Sequence, residues 1–261
     1  MKAVFLGCTK FSEALLQSII STRSCEVVCI CTIPEVFKIN YSDEPVKNTN
    51  YANLEPYAKQ LGIPHYSIQS EVGRRIIDYL PEIEKLKPDV ILVLGWYYMV
   101  PKQVRQLVKH GAWGIHASLL PNYAGGAPLV WAIIEGQKKT GVTLFRLDEG
   151  VDNGDIILQE EIEINESDYI SDVYYKATKA SQRILNEALK LGDQVVYKAQ
   201  DKSKIKIYPQ RKPSDGEIDL NWDAKQIYDF VRAQAYPYPG AFIKSKDGKK
   251  IFIDKARLDN E

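Results

Sequence analysis

His116 and Asp152 are the two residues of this chain best suited to moving a proton. His116 lies in GIHASLLPNYAGGAP (114–128) and Asp152 in the acidic turn DEGVDNGD (148–155). A lone histidine at a strand end is ordinarily structural. A carboxylate that accepts from one imidazole nitrogen changes that, because it fixes the tautomer and stabilises the protonated ring. An imidazole, titrating at ~6.5 when unperturbed, can then take a proton from an attacking amine near neutral pH. Metal chemistry is not expected. Besides His116 the chain has only His65 and His110, and Cys8, Cys25, Cys29 and Cys31 form no C-x-x-C pair.

Other stretches offer binding rather than proton transfer. GWYYMVP (95–101) places Trp96, Tyr97, Tyr98, Met99 and Val100 after a buried strand, where three consecutive aromatics are hard to bury together. PQRKPSDGEIDLNW (209–222) carries Arg211 and Lys212, a fork and a point charge suited to a diphosphate, although such a pair also suits a solvated turn.

These residues need a frame, and alternating apolar runs supply one. KAVFLGC (2–8), CEVVCICTI (25–33), PDVILVLGWYYMVP (88–101) and GAWGIHASLLP (111–121) read as strands. Helical spacing fits 11–20, 51–62 and 128–137, and a long amphipathic helix is expected over 171–192 behind a Ser-Asp cap. Residues 140–164 alternate as two antiparallel strands around a turn at Gly150 to Gly154, and 34–50 reads as an irregular polar loop.

The expected fold is therefore α/β, a doubly wound, mainly parallel sheet whose ligands gather at the strands' carboxyl ends. Residues 1–194 would form the catalytic domain. Residues 195–261 would form a small β-rich appendage, with a helix over 223–234 and a hairpin centred on Asp247-Gly248.

Composition narrows the partners. Lys plus Arg equals Asp plus Glu, 34 against 34, so no overall field draws the chain to nucleic acid or anionic lipid. There is neither a signal-peptide core nor an apolar run long enough to span a membrane. A cytoplasmic protein with reduced thiols is the expectation.

HASLLPNYAGGAP, WAIIEGQKKTGVTL and DEGVDNGDII, with their spacing intact, resemble the signature of the formyltetrahydrofolate-dependent formyltransferases. The resemblance runs from residue 1 to about 243 and implies a Rossmann-like formyltransferase fold. In the family an Asn-x-His…Asp set does the chemistry. Here the His falls on His116, the Asp on Asp152, and the Asn position on Gly114. That carboxamide is thought to donate to the oxygen that gains charge as the amine attacks, and losing one such donor typically costs ~100- to 1000-fold in rate. Three accounts fit Gly114: a substitute donor or water, a relative that only binds, or a substitution introduced by design.

The resemblance further implies formyltetrahydrofolate as formyl donor and no metal. The donor would be cradled by Trp96, Tyr97, Tyr98, Met99 and Val100 and by the turn of Gly150 and Asp152. Asn122, Tyr123, Arg211 and Lys212 would face the acceptor. That acceptor is expected to be the amino group of a nucleotide-linked amino sugar, as in bacterial nucleotide-sugar N-formyltransferases, with a role in lipopolysaccharide biosynthesis and a second copy of the chain as candidate partner in a homodimer. Two alternatives stay open: methionyl-tRNA formylation, and a non-catalytic folate or nucleotide-sugar binder. Against tRNA, residues 34–50 carry only Lys38 and Lys47 beside Glu35, Asp43 and Glu44, and 261 residues are expected to be too few for a full C-terminal barrel.

Overall fold

Alternate side chains of the first strand point into two different cores. Ala3 and Phe5 meet Leu15, Leu16 and Ile19 on one face, whereas Val4 and Leu6 meet Cys29, Cys31, Ile83 and Val104 on the other. A strand covered on both faces is apolar throughout, which is why KAVFL shows no polar alternation. The structure, a computed structural model, describes residues 1–38, 44–69 and 73–259.

In chain order the strands are β1 (Lys2–Leu6), β2 (Glu26–Thr32), β3 (Val36–Phe37), β4 (Val46–Lys47), β5 (His65–Ser67), β6 (Val90–Val93), β7 (Ala112–His116), β8 (Ala124–Gly125), β9 (Lys139–Arg146), β10 (Ile156–Glu163), β11 (Ile207–Tyr208), β12 (Ala241–Lys244) and β13 (Lys250–Ile253). The α-helices are α1 (Lys10–Thr22), α2 (Glu55–Leu61), α3 (Leu80–Lys85), α4 (Lys102–Arg105), α5 (Pro128–Ile134), α6 (Ile170–Leu191) and α7 (Ala224–Gln234). Seven strands form one sheet in the order β10-β9-β7-β6-β1-β2-β5. The run from β7 to β5 is parallel, and β9 and β10 add an antiparallel edge. The fold is thus α/β with a mainly parallel sheet, and β12 and β13 make the small antiparallel pair near the C-terminus.

The order reverses between β1 and β6. From β1 the chain winds outward through β2 to β5; from β6 it winds the other way to β7. A crevice opens outside the carboxyl ends of strands at such a point.

Several expectations change. Residues 34–50 are not irregular throughout, because β3 and β4 pair as a short antiparallel ladder; residues 39–43, with Asp43, lie outside the described residues. Ser171 and Asp172 lie inside α6 rather than before it, and the Asp172 carboxylate caps by accepting from Tyr169 N–H at 2.9 Å. The three-residue β5 has too little length for a periodic signal. No helix among the described residues is long and apolar enough to cross a membrane, and no metal-holding cluster of His, Cys, Asp or Glu occurs among them.

All four cysteines are free thiols, and Cys29 Sγ lies 3.9 Å from Cys31 Sγ on one face of β2. Burial pushes the Cys8 and Cys25 thiols up to about 12. Since the thiolate is the reactive species, the folded protein should alkylate with iodoacetamide far more slowly than the unfolded chain, followed by mass. Rapid labelling of Cys8 or Cys25 in the native protein would contradict this picture of the core.

Candidate active site

Three strand ends meet at the switch point. β1 runs into Gly7-Cys8-Thr9, β6 into Leu94-Gly95-Trp96, and β7 ends on His116. Ser12, in the first turn of α1, ties the first two together: its Oγ accepts from Cys8 N and Thr9 N, both at 3.1 Å, and donates to Leu94 O at 2.5 Å. Gly95 has φ +66°, and a Cβ there would run into Thr9 Oγ1. Only glycine allows the β6 turn this approach.

Beyond Gly95 the aromatic turn is propped from one side. Phe37 of β3 packs against Tyr97 and Tyr98 at centroid distances of 5.0 and 5.6 Å, and Trp96 meets Tyr98 edge-on at 6.1 Å. Tyr97 OH donates to Oδ1 of the buried Asn48 at 3.1 Å, while Asn48 Nδ2 donates to Cys8 O at 3.0 Å. The β3–β4 arm therefore backs the turn. Trp96 Nε1 is buried without a hydrogen-bond partner among the described residues, and Met99 is exposed.

His116 and Asp152 do meet. His116 Nδ1 lies 3.4 Å from Asp152 Oδ2, and Nε2 lies 2.7 Å from Tyr123 O. The Tyr123 carbonyl and the Asp152 carboxylate both only accept, so Nε2 donates to Tyr123 O, and Nδ1 bonds to Asp152 only when it too carries a hydrogen. A proton taken at Nδ1 would be donated straight to the Asp152 carboxylate. Asp152 Oδ2 also accepts from Gly125 N–H at 2.8 Å, which links the turn to the 121–127 loop. The Asp152 backbone is left-handed, with φ +47°, a region few residues with a side chain enter.

Gly114 lies two residues before His116 on the same face of β7. A Cβ on it would come within 2.9 Å of Leu147 Cδ2 and 3.5 Å of Phe145 Cε1. The Leu147 side chain therefore covers the glycine with alkyl carbon, an arrangement with no signature in the local sequence.

The remaining expected residues divide. Gly150, Val151 and Asn153 complete the acidic turn, and Asn153 Oδ1 is buried without a partner. Asn122 is exposed on the 121–127 loop. Tyr123 stacks on Tyr208 at 4.8 Å and its OH donates to Glu135 Oε2 at 2.6 Å; burial, then that carboxylate, push its phenol well up. Arg211 sits between Trp131 and Phe230, its Cζ 4.8 and 5.5 Å from the ring centroids, and bonds to Asp215 O and to Gln234. Lys212 is exposed beside it.

Sequence reasoning missed the segment joining α6 to the C-terminal part. Lys198 exchanges two 2.8 Å backbone bonds with Ile156, and Gln200 Nε2 donates to Asp152 O and Gly154 O at 2.8 and 2.7 Å. Further on, β11 pairs with β8 beside Tyr123. Its polar, aperiodic sequence gave no sign of this.

The candidate site thus sets a histidine at the carboxyl end of β7 against a carboxylate of the acidic turn, with the aromatic turn following the neighbouring strand β6. Residues 1–189 match the pattern of the family described as formyl transferase, and residues 211–261 match its C-terminal domain. A methionyl-tRNA formyltransferase of Thermodesulfovibrio yellowstonii is 32% identical over 98% of this chain and 80% of its own length. One of Clostridioides difficile is 31% identical over 95% and 77%. Among solved structures, a sugar N-formyltransferase from Shewanella sp FDAARGOS_354 superimposes with a TM-score of 0.72 at 19% identity, covering 100% of this chain and 99% of that one. An N-formyltransferase from Helicobacter canadensis, in complex with folinic acid and dTDP-3-aminofucose, gives 0.68 at 18% identity, covering 94% and 84%. Two successive pattern matches and relatives aligned over nearly the whole chain agree with the fold: the chain belongs to the formyl transferase family.

Proposed function

We propose that this formyltransferase moves a formyl group from formyltetrahydrofolate to the amino group of a nucleotide-linked amino sugar. The observation that carries the choice of acceptor is the β3–β4 arm. Gripping an acceptor stem needs uncompensated cations, whereas here Lys47 pairs with Glu35 at 3.6 Å and the arm packs on the folate-side turn through Phe37 and Val46. Methionyl-tRNA formylation is the second reading, favoured by the curated relatives at 31 and 32% identity.

The residues present fit a reduced folate. Trp96 Nε1 and Asn153 Oδ1 give the two turns a buried donor and a buried acceptor with no partner among the described residues, and Trp96, Tyr98 and Val100 would supply apolar walls. The folate would supply an activated formyl carbon. His116 would then take the amine's proton, and Asp152, facing Nδ1, would accept from the protonated ring and stabilise its charge. We place this chemistry in residues 1–194, in a cytoplasmic setting suited to free thiols, with residues 195–261 closing the acceptor side.

On that side Asn122 and Tyr123 would face the sugar, and Arg211 and Lys212 the diphosphate. Arg211→Ala should weaken nucleotide-sugar binding by about 1.5–3 kcal/mol and leave folate affinity unchanged, read by calorimetry with each ligand. Equal losses for both ligands would instead assign Arg211 to holding Trp131 and Phe230 apart.

A further inference from the structure

Gln200 stands outside the set of residues that would touch substrate, yet its contacts run directly to the backbone that carries Asp152. Its side-chain nitrogen bridges the carbonyls of Asp152 and Gly154, at 2.8 and 2.7 Å, across the left-handed residue at φ +47°. Its Oε1 is buried with no hydrogen-bond partner among the described residues. Burying an unpaired acceptor costs free energy, so nothing but the donor side of this amide favours glutamine at a position only 9% exposed.

The surrounding segment is anchored on both sides of the site. Before Gln200, Lys198 pairs with Ile156 at the start of β10; after it, β11 pairs with β8, and Gly126 N donates to Tyr208 O at 2.8 Å. One stretch of chain thus holds the acidic turn through Gln200 and the 121–127 loop through Tyr208. Those two pieces meet at the Gly125 N–H to Asp152 Oδ2 bond.

We infer that Gln200 is a positioning residue: its amide locks the turn at Asp152 so that the carboxylate stays against His116 Nδ1 and Gly125 N–H. The inference rests on the reading of His116 and Asp152 as the proton-transfer pair. Without the amide, the two carbonyls lose their donor and the turn can leave its left-handed conformation. The carboxylate then drifts from the ring while the folate-side turn at 95–101, held by Ser12 and Asn48, stays in place.

The test uses the full chain and two readouts. Gln200→Leu, close in shape but lacking the donor, should lower kcat by about 10-fold or more with the acceptor KM nearly unchanged, and should cost no more than about 2-fold in an Asp152→Ala background. Amide hydrogen exchange at Gly125 should accelerate alike in Gln200→Leu and Asp152→Ala, with protection in β7 and β9 retained. Equal losses in both backgrounds, unchanged exchange at Gly125, or loss of protection across the sheet would each overturn the inference. If Gln200→Leu does not fold, Gln200→Asn, with its amide one methylene too short, is expected to show the same coupling. Wild-type turnover by Asp152→Ala would overturn the proton-transfer reading instead, and the Gly125 exchange would still judge Gln200.

Discussion

His116→Ala is expected to slow formyl transfer by about 100-fold or more while the protein stays folded, and Asp152→Ala to do the same. The magnitude follows from position. Nε2 is tied to Tyr123 O, and the only carboxylate within 4 Å of Nδ1 among the described residues, placed to accept from the protonated ring, is Asp152. Removing the ring takes away the proton acceptor, and removing the carboxylate takes away the partner of the charge that forms. Because both act on the same proton, the double variant should lose little more than either single one. The check is transfer rate by mass, with circular dichroism confirming the fold. Unimpaired turnover by His116→Ala would remove the histidine from the mechanism.

Gly114→Asn is the second large effect, and it runs upward. Gly114 offers no side-chain donor at the position where the family signature has Asn, so placing a carboxamide there should raise kcat by about 100-fold or more with little change in KM. The structure adds a steric term. The new Cβ would press on Leu147 Cδ2 at 2.9 Å, the free end of a flexible side chain, so Leu147 must turn aside by a few tenths of an ångström. Gly114→Ala isolates that term, since it pushes on Leu147 and donates nothing; it should turn over at or below the wild-type rate. A rate for Gly114→Asn no higher than that of Gly114→Ala would mean that the protein already has its own donor. Asn122 and Asn153 would then be the first residues to change.

The parts of this molecule legible in the sequence are those whose burial leaves a local trace. β1, β2 and β6 are covered on both faces and read as apolar runs, and β10 keeps part of its alternation, whereas β9 is buried at six successive positions. His116 and Asp152 could be singled out by type and motif spacing. The β3–β4 arm could not, because two-residue strands are defined by their pairing and not by any period. Gln200 was invisible for a related reason: it acts on a carbonyl 48 residues earlier in the chain, and nothing in its neighbours' composition marks that contact. The cover that Leu147 places over Gly114 is likewise a product of β9 lying beside β7.

The choice of acceptor is the central claim, and one measurement reaches it directly. Wild-type protein and Gly114→Asn would each be incubated with formyltetrahydrofolate and, in parallel, with a panel of nucleotide-linked amino sugars and with charged initiator methionyl-tRNA, the products being read by mass. The account predicts that at least one amino sugar gains a single formyl group, faster with Gly114→Asn, and that the tRNA gains none. Formylation of methionyl-tRNA, with every amino sugar returned unchanged, would contradict it.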